Sequence, residues 1–301
     1  VDVLMVQLFN GLSFSSILLL IALGLAITFG LMNVINMAHG ELIMIGAYSA
    51  YMTQIMFSNY LPKSLFDFYF VLALPVAFLT AALTGWILEW ALVRHLYGRP
   101  LDSLLATWGV SLVLQQLART VFGAPNVAVM APDWLNGGLE VMAGVVFPYK
   151  RLFILAIAAA AVLGMYLYLY KTAPGRRMQA VMQNRAMAAC LGISTRKVDS
   201  WSFAMGSGIA GLAGCAITLL GPIGPSIGTY YIIDAFMVVV LGGVGKLSGT
   251  LAGALGIGIL NTLFEYGTTA TLGKVLVFLV IIVFLQWRPA GLVQVKTRVL
   301  D

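Results

Sequence analysis

Apolar residues run in long uninterrupted blocks, and this pattern sets the fold class. Residues 3–40 contain no Asp, Glu, Lys or Arg, and neither do 68–88, 152–170 or 200–233. An α-helix rises about 1.5 Å per residue, so about 20 apolar residues cross a hydrocarbon core of about 30 Å. Backbone groups in lipid must bond to one another, which leaves helices or closed barrels. The blocks are rich in Leu, Ala, Ile and Gly and lack a two-residue alternation, so a barrel is excluded. Nine crossings are expected, at 12–32, 40–57, 69–92, 103–122, 152–170, 200–220, 230–242, 248–266 and 272–287. The seventh is short for a full span and reads as a partial or broken helix. The expectation is an all-α, polytopic membrane bundle formed by 1–301 as one domain.

Polar breaks between the blocks give the orientation. Arg94, Arg99, Lys171, Arg176, Arg177, Arg185, Arg196, Lys197, Lys246, Arg288, Lys296 and Arg298 fall in one set of loops; Lys63, Lys150, Arg151 and Lys274 fall in the other. Basic residues retain loops in the cytoplasm. The richer set is therefore expected inside, with the C-terminus cytoplasmic and the N-terminus outside. An outside loop at 123–150 carries turn formers such as Pro125, Pro132, Gly137 and Gly138. An inside loop at 171–199 differs: after Pro174 and Gly175, Arg176 to Leu191 reads as one amphipathic helix ended by Gly192. Its apolar face needs a partner or the lipid surface.

Composition agrees with this picture. Charged residues are 9% of the 301 and hydrophobic ones 61%, against about 25% charged in soluble domains. The net charge of +6 is assigned to cytoplasmic loops rather than to nucleic acid. Cys190 and Cys215 lack metal-site spacing, and a disulfide is not expected at a cytoplasmic Cys190. No metal or cofactor site and no catalytic motif is visible. Gly242–Lys246 fails as a Walker A loop, because Val240 and Leu247 stand where Gly and Ser or Thr are required. Energy for active transport would have to come from another subunit or an ion gradient.

Three polar features invite a functional reading. His39 and Glu41 bracket a turn after Asn36; they suit a proton relay, or more simply a helix start where a negative charge is favoured. Ser103, Thr107, Ser111, Gln115 and Arg119 recur every four residues in the fourth crossing. The central three share one helix face within about 80°, which either lines a watery pathway or bonds to other helices. Glycines crowd the sixth crossing at 206, 208, 211 and 214, and Gly249 and Gly253 form a GxxxG pair in the eighth; these let helices approach closely.

The stretch Phe29-Gly30-Leu31-Met32-Asn33-Val34-Ile35-Asn36-Met37-Ala38-His39-Gly40-Glu41 closely resembles the N-x-A-H-G-E signature of the branched-chain amino acid permease family of ABC importers. Ala186–Ile193 resembles that family's ATPase-coupling loop, and Gly242–Gly245, Gly249 and Arg288–Leu292 also match. Leu105–Leu112 and Phe122–Val127 look more like the urea permease B subunit. The resemblance implies a multi-pass inner-membrane permease without its own ATP site. It further implies a second homologous permease, two ATP-binding cassette subunits and a periplasmic solute-binding protein. Coupling would use Arg177, Arg185, Ala186, Ala189, Leu191 and Gly192. The pathway would be lined by Thr107, Ser111 and Gln115 with Asn36, His39 and Glu41. Urea or a short amide is the expected solute, with a branched-chain amino acid as the alternative. From another class, a passive channel or ion-coupled carrier would leave the inside helix without a purpose.

Overall fold

A computed structural model describes residues 2–32, 34–142 and 145–293. Asn33 of the signature and the basic residues Lys296 and Arg298 lie outside the described residues. Each of the nine apolar segments is a helix: α1 (Asp2–Met32), α2 (His39–Tyr60), α3 (Tyr69–Ala91), α4 (Pro100–Phe122), α5 (Tyr149–Lys171), α8 (Thr195–Ile217), α9 (Ile227–Gly242), α10 (Leu247–Gly267) and α11 (Ala270–Trp287). Between α5 and α8 lie two short helices, α6 (Ala173–Gln183) and α7 (Arg185–Cys190).

By length and apolarity the structure supports six crossings rather than nine: α1, α3, α5, α8, α10 and α11. α9 is apolar but has only 16 residues. α2 and α4 are long enough, yet they carry polar side chains, among them Glu41, Thr53, Gln54, Thr107 and Ser111, that are buried against protein. Hydropathy counts such groups as if they met lipid. Among the described residues the only paired strands are β1 (Gly138–Met142) and β2 (Val145–Pro148), which run antiparallel where valines and Phe147 favour extended backbone.

At the centre stands α1, packed against α8, α10, α9 and α5. α2 and α3 cover the other side of α8, while α4 touches mainly α2, and α11 covers α10. Small residues set these contacts. Ala73, Ala77, Ala81 and Gly85 line the buried face of α3 at intervals of four. A Cβ on Gly211 of α8 would stand 2.4 Å from the Ala77 carbonyl oxygen. Across α8, a Cβ on Gly214 would lie 1.9 Å from the Ile43 carbonyl oxygen of α2, and one on Gly206 would lie 2.6 Å from that of Gly24 in α1. α8 therefore lies backbone to backbone with three neighbours, the packing mode available in lipid, where burying apolar surface gives no advantage. Gly249 and Gly253 of α10 meet the α9 carbonyls of Gly242 and Val238 in the same way.

Candidate functional site

α5 spans 23 residues, about 35 Å, and so separates two ends of the bundle. One end carries the β-hairpin and the other carries α6 and α7. At the hairpin end, residues 127–130 lie against the helices. Met130 N donates to Gln54 Oε1 at 3.0 Å, the Tyr69 hydroxyl donates to Met130 O, and Val127 pairs with Ile223 in the α8–α9 connection.

At the other end, sequence stretches that are far apart meet. Gly30 of α1 abuts Gly245: a Cβ there would be 2.7 Å from the Gly245 Cα. Leu292 N donates to Leu241 O at 2.8 Å and Val293 N to Gly242 O at 3.2 Å, so the tail supplies donors to carbonyls that α9 leaves open at its end. This fit requires glycine at 243 and 291, both at positive φ and in backbone contact with each other.

The expected single inside helix is two. The chain breaks at Asn184, which is extended (φ −154°) and whose Oδ1 accepts from Met187 N at 2.9 Å. Asn184 therefore ends α6 and caps α7. α6 turns Met178 and Val181 inward. α7 buries Ala188 and leaves Ala186, Met187, Ala189 and Leu191 exposed, Leu191 to 74%. It closes with Gly192 at φ +80°, Gly192 N bonding Ala189 O and Ile193 N bonding Ala188 O, a Schellman motif. Arg177 is exposed on α6.

Arg185 has a different place from the rest of that surface. Its guanidinium forms a bidentate ion pair with Asp199 of α8, whose side chain is fully buried, and lies 5.3 Å from the Tyr97 ring. Tyr97 in turn donates to Glu89 Oε1 at 3.1 Å, while Glu89 Oε2 takes Ser200 at 2.5 Å and Arg94 at 3.2 Å. Burial next to Asp199 and Glu89 holds the Tyr97 phenol above its ordinary pKa. The cluster joins α7 to α3 and α8. The spacing of its members gave no sign of it.

The turn at 36–41 separates its two ionisable groups. His39 Nε2 faces the Ile21 carbonyl of α1 at 3.1 Å, which requires the Nε2–H tautomer. Glu41 points the other way, to α4: its Oε1 accepts from Ser111 Oγ and Gln115 Nε2, both at 2.8 Å. The two therefore bond to different helices, and Glu41 sits in the first turn of α2. Asn36 Oδ1 accepts from Ala38 N at 3.0 Å and stabilises the turn. Thr107 Oγ1 accepts from Met37 N at 3.1 Å, and Gln115 also reaches Thr229 Oγ1 at 3.1 Å. The polar stripe of α4 is thus a seam onto α2, while its outer face exposes Leu101, Leu105, Val113 and Leu117. Asn36 Nδ2, His39 Nδ1 and Glu41 Oε2 are buried without a hydrogen-bond partner among the described residues.

Two large cavities lie at opposite ends of α1. The one at the hairpin end measures about 960 Å³ and is lined by Asn10, Asn126, Arg151, Tyr230, Glu265 and Lys274, and by the apolar Phe14 and Ile17. The other, of about 940 Å³, lies between α1, α5, α6 and the start of α10, with Met178 and Met182 on its wall. Among the described residues no group of acidic, His and Cys side chains could hold a metal.

Known proteins place this architecture. The family described as "Branched-chain amino acid transport system / permease component" matches residues 7–285. The high-affinity branched-chain amino acid transport system permease protein LivH of Salmonella typhimurium is 28% identical, over 95% of this chain and 94% of its own length. BraD of Pseudomonas aeruginosa, described in the same words, shows 28% identity over the same shares. A probable branched-chain amino acid transport permease protein LivH of Methanocaldococcus jannaschii is 29% identical over 96% of this chain and 92% of its own. None of these relatives is named for urea. No solved structure matches the chain. The match reaches from α1 into α11, and the chain belongs to the branched-chain amino acid transport system permease family: it is a multi-pass membrane component of an ABC importer rather than an enzyme.

Proposed function

We propose that this chain carries a branched-chain amino acid inward across a bacterial inner membrane. It would work with a second permease chain, two ATP-binding cassette subunits and a periplasmic binding protein. The coupling half of this reading rests on one observation. In a chain without a Walker A loop, α7 leaves Ala186, Met187, Ala189 and Leu191 exposed while Arg185 pins it to the bundle. Such a surface suits docking into a groove on an ATPase subunit. The α6–α7 end is then cytoplasmic and the hairpin end periplasmic, in line with the basic residues.

The choice of solute follows the relatives' names. The resemblance of Leu105–Leu112 and Phe122–Val127 to the urea permease B subunit points to urea instead, a neutral solute with which Thr107, Ser111 and Gln115 could exchange hydrogen bonds. Those groups are engaged with Glu41 and with backbone, so contact with a solute would require α4 to leave α2. The test is ATP-driven uptake of radiolabelled leucine and urea into proteoliposomes holding the assembled importer. Leucine uptake that excess urea does not inhibit supports the reading. Urea uptake without leucine uptake overturns the choice of solute.

A further inference from the structure

The cavity at the hairpin end bears charges that a neutral solute would not need. Lys274 opens onto it from the first turns of α11, with its side chain 43% exposed. Behind it, Asp234 of α9 is 8% exposed and accepts from Lys274 Nζ at 3.2 Å. An ammonium carries three donors, and Asp234 takes one. Lys274 and Asp234 thus set opposite charges against each other at the edge of the cavity.

Glu265 of α10 stands beside it. Gly273, next to Lys274 in the chain, packs on Glu265 so closely that a Cβ there would be 2.9 Å from the Glu265 Cγ. The Lys274 ammonium is drawn to Asp234 rather than to Glu265. The lining therefore includes a cation and an anion from consecutive helices, and Phe14 and Ile17 of α1 line the same cavity. The cavity volume falls in the range of about 300–1,000 Å³ usual for small-molecule sites.

We propose that Lys274 and Glu265 form a subsite for the α-carboxylate and α-ammonium groups of a zwitterionic amino acid, whose aliphatic side chain lies toward Phe14 and Ile17. This rests on the amino acid reading above and extends it to particular groups. Lys274 receives the carboxylate through its remaining donors, and Glu265 accepts from the ammonium. A solute arriving from the binding protein is thereby oriented before the bundle changes state.

The experiment uses the assembled importer in proteoliposomes and reads initial ATP-driven uptake of radiolabelled leucine. Glu265→Gln keeps the shape of the side chain and removes its charge. Lys274→Gln alone would leave Asp234 buried and unpaired, so it is made together with Asp234→Asn. Each variant is first checked for intact assembly by size-exclusion chromatography. Uptake in Glu265→Gln is expected to fall about tenfold at subsaturating leucine, the loss of one charge contact, and to recover as leucine is raised. Unchanged uptake at every leucine concentration in both variants overturns the subsite. If the double variant does not assemble, Glu265→Gln alone decides. Absence of leucine uptake in the unaltered importer overturns the amino acid reading itself.

Discussion

Gln115 offers the sharpest test of what holds α4. Its amide donates to Glu41 Oε1 at 2.8 Å and to Thr229 Oγ1 at 3.1 Å. Polar contacts between membrane helices average about 0.6 kcal/mol and reach about 1.7. Gln115→Leu removes these two contacts and a longer one to Ser111 Oγ at 3.4 Å at roughly constant volume, so a loss of about 1–2 kcal/mol is expected. Ser111 keeps its own bond to Glu41 at 2.8 Å, so the seam is weakened rather than opened. The assay is denaturant unfolding of the purified chain in mixed micelles, followed by tryptophan fluorescence. Gln116→Leu is the control: Gln116 is exposed, and its change should stay within about 0.5 kcal/mol. A cycle with Glu41→Gln isolates the contact. Coupling of about 0.6 kcal/mol or more is expected, because Glu41 and Gln115 share a bond. If the double variant equals the sum of the singles within about 0.3 kcal/mol, the seam does not depend on this pair. A variant of full stability whose uptake falls would instead assign Gln115 to the solute path.

Four further outcomes follow from the geometry. Arg185→Ala strands the buried Asp199 and should cost about 2–3 kcal/mol in the same unfolding assay; that is less than the 3–5 for a fully buried pair, because the Arg185 side chain is 43% exposed and screened by water. Adding Asp199→Asn should restore at least half, and no recovery would refute the pairing. Gly214→Ala, whose Cβ meets the Ile43 carbonyl oxygen at 1.9 Å, should sharply lower the yield of folded protein, whereas Gly109→Ala, which meets nothing within 4 Å, should not. Ala189→Glu puts a charge on the bare face of α7 and should abolish co-purification with the ATPase subunits; full binding together with full uptake would refute docking there. Single cysteines at Asn136 and Asn184 in a Cys-free background should react with an impermeant thiol reagent from outside at 136 only, and labelling at 184 would reverse the orientation.

What the sequence revealed, and what it hid, follows the range of the interactions. The nine apolar segments are visible because each helix carries its own signal, and all nine are helical. The glycines of α8 are also visible, but their partners are not: Ala73, Ala77, Ala81 and Gly85 of α3 form the matching stripe, and alanine and glycine inside an apolar run look like filler. Asn184 carries a local signal for the break, since Asn is a favoured helix N-cap, but the helical pattern runs on through it and masks the stop. The stripe on α4 identified the right face but could not name Glu41 as its partner, 70 or more residues away. Arg185 with Asp199, and Lys274 with Asp234, join separate helices through contacts that no local pattern encodes.

The burial of α1 bears on how the protein is made. In its apolar stretch 83% of the residues are enclosed by protein, more than in any other of the six spanning helices. Yet α1 leaves the ribosome before α8 and α10, the helices that wrap it most. Until they arrive, its flanks must rest in lipid. Its composition allows this: from Ile17 to Ile27 every residue is apolar, so waiting exposes no polar side chain there to hydrocarbon. The helix most central to the finished bundle is thus also apolar enough to stand alone in the bilayer. A polar residue in that stretch, harmless or even bonded in the finished core, would be paid for during insertion, when its partner has yet to be synthesised.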